Sequence, residues 1–586
     1  MNPPRPLRDS QEAAVIDIGS NSVRLVIYRI DGRAMTPILN EKVMAGLGRD
    51  LARTDALSKE GADIAARALK RFATIIEKRG IESVFAVATA AVREAEDGRA
   101  FAERIRRESG IGLRVLSGAE EARLSALGVR AGVPDAEGVV GDLGGASLEL
   151  VEIGANGVGR GETFALGPLA LAGGDAFAYE RVSDDAAAAI ESAHMLAGRG
   201  GDFYAVGGAW RALGRIDIGQ RRHPLGVLHQ YEMSRADVLR LVDVVRKLSR
   251  KSLEKLEDAA AKRAESLPYA AVVLEQVMLA GNFERMVLSA FGLREGVLIE
   301  RMSEAVLAAD PLIASADALA GRSSGARAFG AALERWIAPM FTGQVSAFSP
   351  KRDAILRAAG ARLADVGGPL HPDQRAEIMF DLILRAPLAA ISHNERAFLA
   401  AAVHHRYTKA APRHVEAYLR LLDEDQQTAA AALGAALRLG ADLSGRSESL
   451  LGAFSISAKD GALTLKVDKK FEHLVTEVAH RRLDYAATLP PFLSAPLSWQ
   501  RTHVLLSPWR ARPATPLSAE ARQALAGEAV RGEARGAEGP FWWQGVPNCD
   551  VPAPRPPNQP QPTLGRIVYE RGDEAARDLA ERLVAL

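Results

Sequence analysis

One short pattern occurs twice in this 586-residue chain, and it restricts the fold more than any other feature. Ala13-Ala14-Val15-Ile16-Asp17-Ile18-Gly19-Ser20-Asn21-Ser22 is answered by Gly138-Val139-Val140-Gly141-Asp142-Leu143-Gly144-Gly145-Ala146-Ser147. Both read as an apolar strand, then Asp-x-Gly-x-x-Ser, then a second apolar run, from Val23 in one copy and Leu148 in the other. Strand, glycine turn and strand make a hairpin. Two such hairpins opening two similar stretches predict a duplicated α/β unit with a cleft between the copies, where ligands lie.

The remaining pattern agrees. The first copy continues with a third strand from Met35, a helix over 61–79 whose face carries Ile64, Ala68, Phe72, Ile75 and Ile76, a buried strand over 84–88, a helix over 99–108, a strand over 113–116 and a helix over 119–130. Ser117-Gly118-Ala119-Glu120 has the form of a capping box for that last helix. The second copy has strands near 139, 148–153 and 161–166, a helix over 184–197, and a strand over 203–206 that runs into the glycine turn Gly207-Gly208. A basic, mostly helical insert over 221–266 follows, then a helix over 270–279 and a strand over 286–290. From about 314 helical periodicity takes over to about 485, broken by a hairpin over 453–467 with Gly461 at its turn. The tail offers a strand at 504–506, a helix over 517–530, seven prolines between 546 and 562, and a final strand and helix over 566–569 and 573–586. The expected domains are therefore 1–134 and 135–311 for the α/β halves, 312–495 for a helical domain, and 496–586 for a Pro-rich extension without an assigned role.

Composition narrows the partners. Lys plus Arg (74) and Asp plus Glu (73) leave a net charge of +1, so no global field attracts nucleic acid, and any polyanion must be met by local clusters. The single cysteine, Cys549, excludes an internal disulfide framework and Cys-rich zinc sites and fits a reducing compartment. No leader-like apolar region and no run of 18 apolar residues occurs, so a cytoplasmic protein without a membrane segment is expected.

The loops suit phosphate. A glycine turn after a strand presents successive backbone N–H groups to an anion, and Ser or Asn adds donors without bulk. Ser20, Asn21, Ser22, Gly144, Gly145 and Ser147 are thus candidate phosphate ligands. Acids beside a bound phosphate repel it unless a cation intervenes, so Asp17 and Asp142 argue for a divalent metal, Mg2+, held partly through water. The competing explanation is ordinary Asp-Gly turn chemistry, which two matched copies make the weaker one. Glu121 lies beside the buried face of its helix and is a candidate general base; the alternative is an ion pair with Arg123 or Arg93. Arg93, after the 84–88 strand, can clamp a phosphate, or else belongs to a solvated turn.

These motifs, with Thr89 to Arg93, Ser117 to Arg123, Asp142 to Glu149 and Gly292-Leu293-Arg294-Glu295-Gly296, resemble the exopolyphosphatase and guanosine pentaphosphate phosphohydrolase (Ppx/GppA) family over 13–306. The resemblance implies duplicated ribonuclease H-like domains of the actin, Hsp70 and sugar-kinase fold, followed by an α-helical HD-like domain. It implies Mg2+-dependent, processive hydrolysis of the terminal phosphate of inorganic polyphosphate, with guanosine pentaphosphate (pppGpp) as the alternative substrate and a homodimer as the assembly. By position Glu121 matches the base; Asn21, Ser22, Arg93, Gly144, Gly145 and Ser147 match the phosphate contacts, to which the glycine turn adds Gly208. Asp142 and Glu149 match the acids associated with metal and water. Ala146 stands where the family usually has glycine, and its methyl is expected either to crowd the phosphate or to point away.

In the helical region Ala364-Asp365 stands where an HD site needs His-Asp, so His371, His393 and His404-His405 lack the matching partner and no working metal site is expected. Basic groups at 246–255, 406–414 and 469–482 are the candidate contacts for a long polyanion. Two readings of other classes stay open: a non-catalytic polyphosphate or alarmone sensor, and an actin-like ATPase.

Overall fold

The fold was analysed in a computed structural model, which describes residue 7 and residues 10–172, 177–255, 263–321, 324–412, 416–459, 462–489 and 498–501. The features expected beyond residue 501, together with Cys549, Gly461, Arg413 and His414, lie outside the described residues. No described helix is long and apolar enough to cross a membrane.

The duplication is visible strand by strand. In the first half β1 (Ser10–Ile18), β2 (Ser22–Asp31), β3 (Ala34–Met44), β4 (Ser83–Ala88) and β5 (Arg114–Val115) form one sheet in the order β3-β2-β1-β4-β5. β1 pairs antiparallel with β2 and parallel with β4. In the second half β6 (Gly138–Leu143) takes the place of β1. It pairs antiparallel with β7 (Leu148–Gly154) and parallel with β10 (Asp202–Gly207), which pairs in turn with β12 (Arg285–Leu288). Two short strands, β8 (Gly157–Val158) and β9 (Glu162–Phe164), extend one side, and β11 (Glu232–Ser234), from the insert, extends the other. This is the duplicated, actin-like α/β architecture that the resemblance implies.

The helix Gly118–Gly132 joins the halves. Its capping box forms as expected: the Ser117 hydroxyl accepts from the Glu120 N–H, and Glu120 accepts from the Ser117 N–H at 2.9 Å. That bond, with Arg114 and the Ser117 hydroxyl, pulls the Glu120 carboxyl down to about 2. The helix crosses the helix Leu293–Ile299 with backbone against backbone. A Cβ on Gly128 would overlap the Gly292 carbonyl, and one on Gly296 the Leu124 carbonyl. Only glycine permits this approach.

Contacts divide the chain into two compact units. The larger holds both halves and the helical residues up to 448, apart from 336–344; the smaller holds 336–344 and the residues from 449. In the smaller, β13 (Phe454–Lys459), β14 (Ala462–Val467) and β15 (Ser498–Arg501) form a sheet, and the Trp336 indole donates to the Phe454 carbonyl at 2.9 Å. Within the larger unit the helix His393–Tyr407 meets the second half through histidines. His393 Nε2 lies 3.2 Å from the His229 carbonyl, His393 Nδ1 lies 2.8 Å from His223 Nε2, and His229 Nε2 lies 3.2 Å from the Gly132 carbonyl. If His393 donates from Nε2, its Nδ1 must accept from His223. A second proton on His393 has no acceptor there.

Two expectations follow. Gly128→Ala or Gly296→Ala costs about 2–3 kcal/mol of stability, because the added methyl meets backbone rather than a side chain that can turn away; an unchanged urea midpoint would show that the crossing relaxes freely. Burial pushes His229 down to about 4 and His393 down to about 3, from an ordinary 6.5. The unfolded chain takes up these protons first, so stability is full above about pH 6.5 and falls as pH drops toward the folded values, by about 2 kcal/mol per histidine at about pH 5. Thermal unfolding against pH should show this slope, and His393→Gln should flatten it.

Candidate active site

Both loops close in the same way. The Gly19 N–H donates to the Ser22 carbonyl at 3.0 Å, and the Gly144 N–H to the Ser147 carbonyl at 2.9 Å. Their carbonyls are committed to flanking segments: Asn21 accepts from Ala45 and Gly46, Ser20 from Gly48, Gly145 from Leu169 and Ala146 from Gly167. That leaves loop N–H groups and the Ser and Asn side chains for the cleft. The loops face each other closely enough that a Cβ on Gly145 would lie 3.2 Å from the Ser20 Cβ. Ala146 is not among the residues that line the cleft, so its methyl stays clear of the phosphate space.

Strand register sets the acids. Asp142 on β6 stands opposite Glu149 on β7, so both side chains rise from one face of the sheet; Asp17 on β1 stands opposite Arg24 on β2. Ser125 donates its hydroxyl to Asp142. Glu121, in the first turn of the joining helix, is 7% exposed, and Arg93 Nη1 holds its Oε2 at 2.9 Å. Burial raises the Glu121 carboxyl above its ordinary range, the Arg93 hydrogen bond opposes the rise, and Asp142 and Asp17 add to it. Glu149 is 1% exposed, and neither Oε atom has a hydrogen-bond partner of good geometry, although the nearby Ser147 hydroxyl favours its ionised form. Burial and then the charge of Glu121 push Glu149 well up. Burial also raises Asp17 and Asp142.

Crowded carboxylates with two orphaned oxygens want a cation. Hard oxygen donors suit Mg2+, which is ordinarily held by one or two carboxylates plus substrate phosphates. Among the described residues no three His, Cys, Asp or Glu gather to hold a metal alone. The acids therefore fit a shared site, completed by phosphate oxygens, rather than a closed one.

The cleft has a volume of 220 Å³ and opens into a chamber of 1020 Å³. Seven residues line both: Arg24, Lys42, Gly208, Arg211, Arg263, Ala290 and Arg294. Arg211 donates to the Gly207 carbonyl at 3.0 Å and the Ala290 carbonyl at 3.2 Å, and burial followed by Arg294 pushes it down to about 10. Arg294 Nε lies 3.9 Å from Asp17. Arg263 Nε donates to the Gly208 carbonyl at 2.9 Å, and its guanidinium covers the face where Gly208 lacks a Cβ. The open face of Gly208 is therefore used by Arg263. In the chamber, Tyr28 donates its hydroxyl to Glu295, which also accepts from the Gly292 N–H at 2.9 Å.

Of the candidates read from sequence, the cleft lining brings together Asp17, Ser20, Asn21, Ser22, Glu121, Asp142, Gly144, Gly145, Ser147 and Gly208. Arg93 and Glu149 are not part of that lining: Arg93 bonds Glu121, the Leu116 carbonyl and Glu94. Arg123, the other partner considered for Glu121, pairs with Glu300 instead. Sequence reasoning assigned no role to Arg24, Lys42 or Arg263; only the strand register opposite Asp17 could have signalled Arg24. Among the described residues, the basic groups it favoured line neither cavity. Arg246 and Lys247 pair with Asp243, Arg406 lies 3.9 Å from Asp442, and Lys470 lies 3.5 Å from Asp468. In the HD-like region Asp365 pairs with Arg446 at 3.2 Å, and His404 Nε2 lies 3.4 Å from Glu377.

Comparison with known proteins agrees with this geometry. The profile of the Ppx/GppA phosphatase family matches residues 26–305, and the profile described as exopolyphosphatase, C-terminal, matches residues 312–491. Exopolyphosphatase 1 of Mycobacterium tuberculosis (strain ATCC 25618 / H37Rv) is 28% identical over 306 residues, 49% of this chain and 87% of that protein. Exopolyphosphatase 1 of Mycobacterium leprae (strain TN) is 28% identical over 310 residues, with 49% and 88% covered. The crystal structure of an exopolyphosphatase from Cytophaga hutchinsonii aligns with a TM-score of 0.47 at 24% identity, covering 50% of this chain and 99% of that one. With its two loops, its cleft acids and successive family profiles over both regions, the chain belongs to the Ppx/GppA phosphatase family and is a phosphatase-type hydrolase.

Proposed function

We propose that this hydrolase removes the terminal phosphate of linear inorganic polyphosphate, with Glu121 as general base. The observation that carries the reading is the passage between cleft and chamber, where five cations line both cavities. A phosphate monoester needs only the cleft, whereas a long polyanion needs successive cationic contacts beyond it.

In the proposed reaction the two loops hold the oxygens of the terminal phosphate by backbone N–H groups and by Ser20, Asn21, Ser22 and Ser147. Arg93 holds Oε2 of Glu121, which fixes the carboxylate and leaves Oε1 to accept a proton from water. As that proton moves, the water oxygen bonds to the terminal phosphorus and the bridging P–O bond breaks. The electron pair leaves on the shortened chain, and the products are orthophosphate and a chain one unit shorter. One or two of the carboxylates Asp17, Asp142 and Glu149, with phosphate oxygens, would hold Mg2+, which when bound would neutralise phosphate charge. Retention of the shortened chain by the passage would make the action processive.

A second reading has its own support. Val26, Tyr28, Met35, Pro37 and Phe291 give the chamber an apolar, aromatic wall, which suits a nucleoside and favours pppGpp as substrate.

Phosphate release from long-chain polyphosphate, pppGpp and ATP separates these readings, and a lower KM for pppGpp than for polyphosphate would reverse the first preference. No release from any of the three would leave only the sensor. Glu121→Gln is expected to lower kcat by about 10²–10⁴-fold with little change in KM, the range of a lost general base; full activity would end that assignment. Chelation with EDTA should abolish turnover and added Mg2+ restore it, and activity undiminished by EDTA would remove the metal from the mechanism.

A further inference from the structure

The five cations shared by the cleft and the chamber are not equally balanced. Asp17 faces Arg294 and Arg24, Asp142 faces Arg211, and Glu295 lies close to Arg294 and Arg24. Three acids thus accompany three arginines. Lys42 has only the weak company of Asp17, and Arg263 has no acid beside it among the described residues. Among the described residues Lys42 has no hydrogen bond or ion pair, and the Arg263 guanidinium has only the neutral Gly208 carbonyl.

They also come from opposite walls. Lys42 stands on β3 of the first half, exposed to solvent at its tip, and Arg263 belongs to the second half, just before the helix Leu267–Ala280. Of the charged neighbours of Lys42, Arg263 acts most strongly, ahead of Arg24 and Arg211, and Asp17 acts least. Partial enclosure of the stem and these three cations push the Lys42 ammonium down to about 8. Like charges meeting across a passage repel, and an anion between them turns both interactions favourable. The position is set locally. Gly208 leaves its face bare, so the Arg263 guanidinium lies flat against the start of the helix Gly208–Gln220, where any larger residue would overlap it.

We propose that Lys42 and Arg263 form a second anion site, which takes an internal phosphate of a linear oligophosphate while the terminal phosphate lies between the two loops. The proposal rests on the polyphosphate reading of the cleft. The pair acts on affinity rather than on the reacting phosphorus. Its charges reach the chain one or more phosphates behind the bond that breaks, so they attract ground state and transition state alike. It also gives the chamber an entrance that favours anionic chains.

Lys42→Met and Arg263→Met, assayed on tripolyphosphate and long-chain polyphosphate, should each raise KM about tenfold, with kcat falling by less. That is the loss of one charge-assisted contact at 1.4 kcal/mol per tenfold. Arg263→Lys should recover part of the loss. Acylation of Lys42 at pH 8, read by peptide mass spectrometry, supplies a measurement that needs no turnover. Tripolyphosphate should shield Lys42 in the wild type and in Glu121→Gln, and the shielding should disappear in Arg263→Met. Unchanged KM in both methionine variants, or equal labelling of Lys42 with and without tripolyphosphate, overturns the site. If the wild type releases no phosphate from either substrate, the polyphosphate reading fails by itself. The labelling then decides the second site alone: shielding sustains it and its absence ends it.

Discussion

Carboxylates packed into one narrow cleft repel each other, and the arrangement of the two halves answers that repulsion. Asp17, Asp142, Glu121 and Glu149 come from three strands and one helix, and each is buried enough for its acid form to be favoured. The cost is offset by cations placed against three of the four groups: Arg24 and Arg294 near Asp17, Arg211 near Asp142, Arg93 on Glu121. Glu149 lacks such a partner of good geometry, so its two oxygens are the least compensated of the group. Most of the acid charge is thus met by cations drawn from both halves.

This balance depends on how closely the halves approach. The helix Gly118–Gly132 carries Glu121 in its first turn and touches the helix Leu293–Ile299 through Gly128 and Gly296. Arg294 and Glu295 sit at the start of that second helix. The glycine crossing therefore fixes Glu121 on one helix relative to Arg294 on the other. At its far end the same helix receives His229, Gln230 and the Ala390 N–H on the single carbonyl of Gly132. One helix is positioned at both ends, and the catalytic candidate lies at the end nearer the cleft.

The duplicated loops, the capping box and the order of strands were legible in sequence, because each depends on residues that are neighbours along the chain. Ser20, Asn21, Ser22, Gly144, Gly145 and Ser147 could be named from two ten-residue stretches, and Glu121 from its place in a helical turn. Arg93 could be named but not placed: whether it reaches a phosphate or holds Glu121 depends on the path of the 116–121 turn, which no local pattern dictates. The basic groups at helical spacing misled for a physical reason. A charge run on a helix face is satisfied by acids one turn away, as Asp243 satisfies Arg246 and Lys247. The cations that line the passage stand singly, on β2, on β3 and at helix starts, and only the fold gathers them.

The helical segment extends the site by a device that charge counting alone would miss. Arg396 is almost fully buried, yet among the described residues it meets no carboxylate; its guanidinium donates to the carbonyls of Ile383, Ala386 and Leu388. Burial alone pushes it down to about 10. A guanidinium on three carbonyls is a brace: it ties the last turn of the helix Arg375–Arg385 to the segment that leaves it. That turn, with Arg385, Ala386, Pro387 and Leu388, forms one side of the chamber. The cleft is thus lined by the two repeated loops, while the chamber beyond it is walled partly by single residues that the repeat does not supply, among them the turn that Arg396 braces.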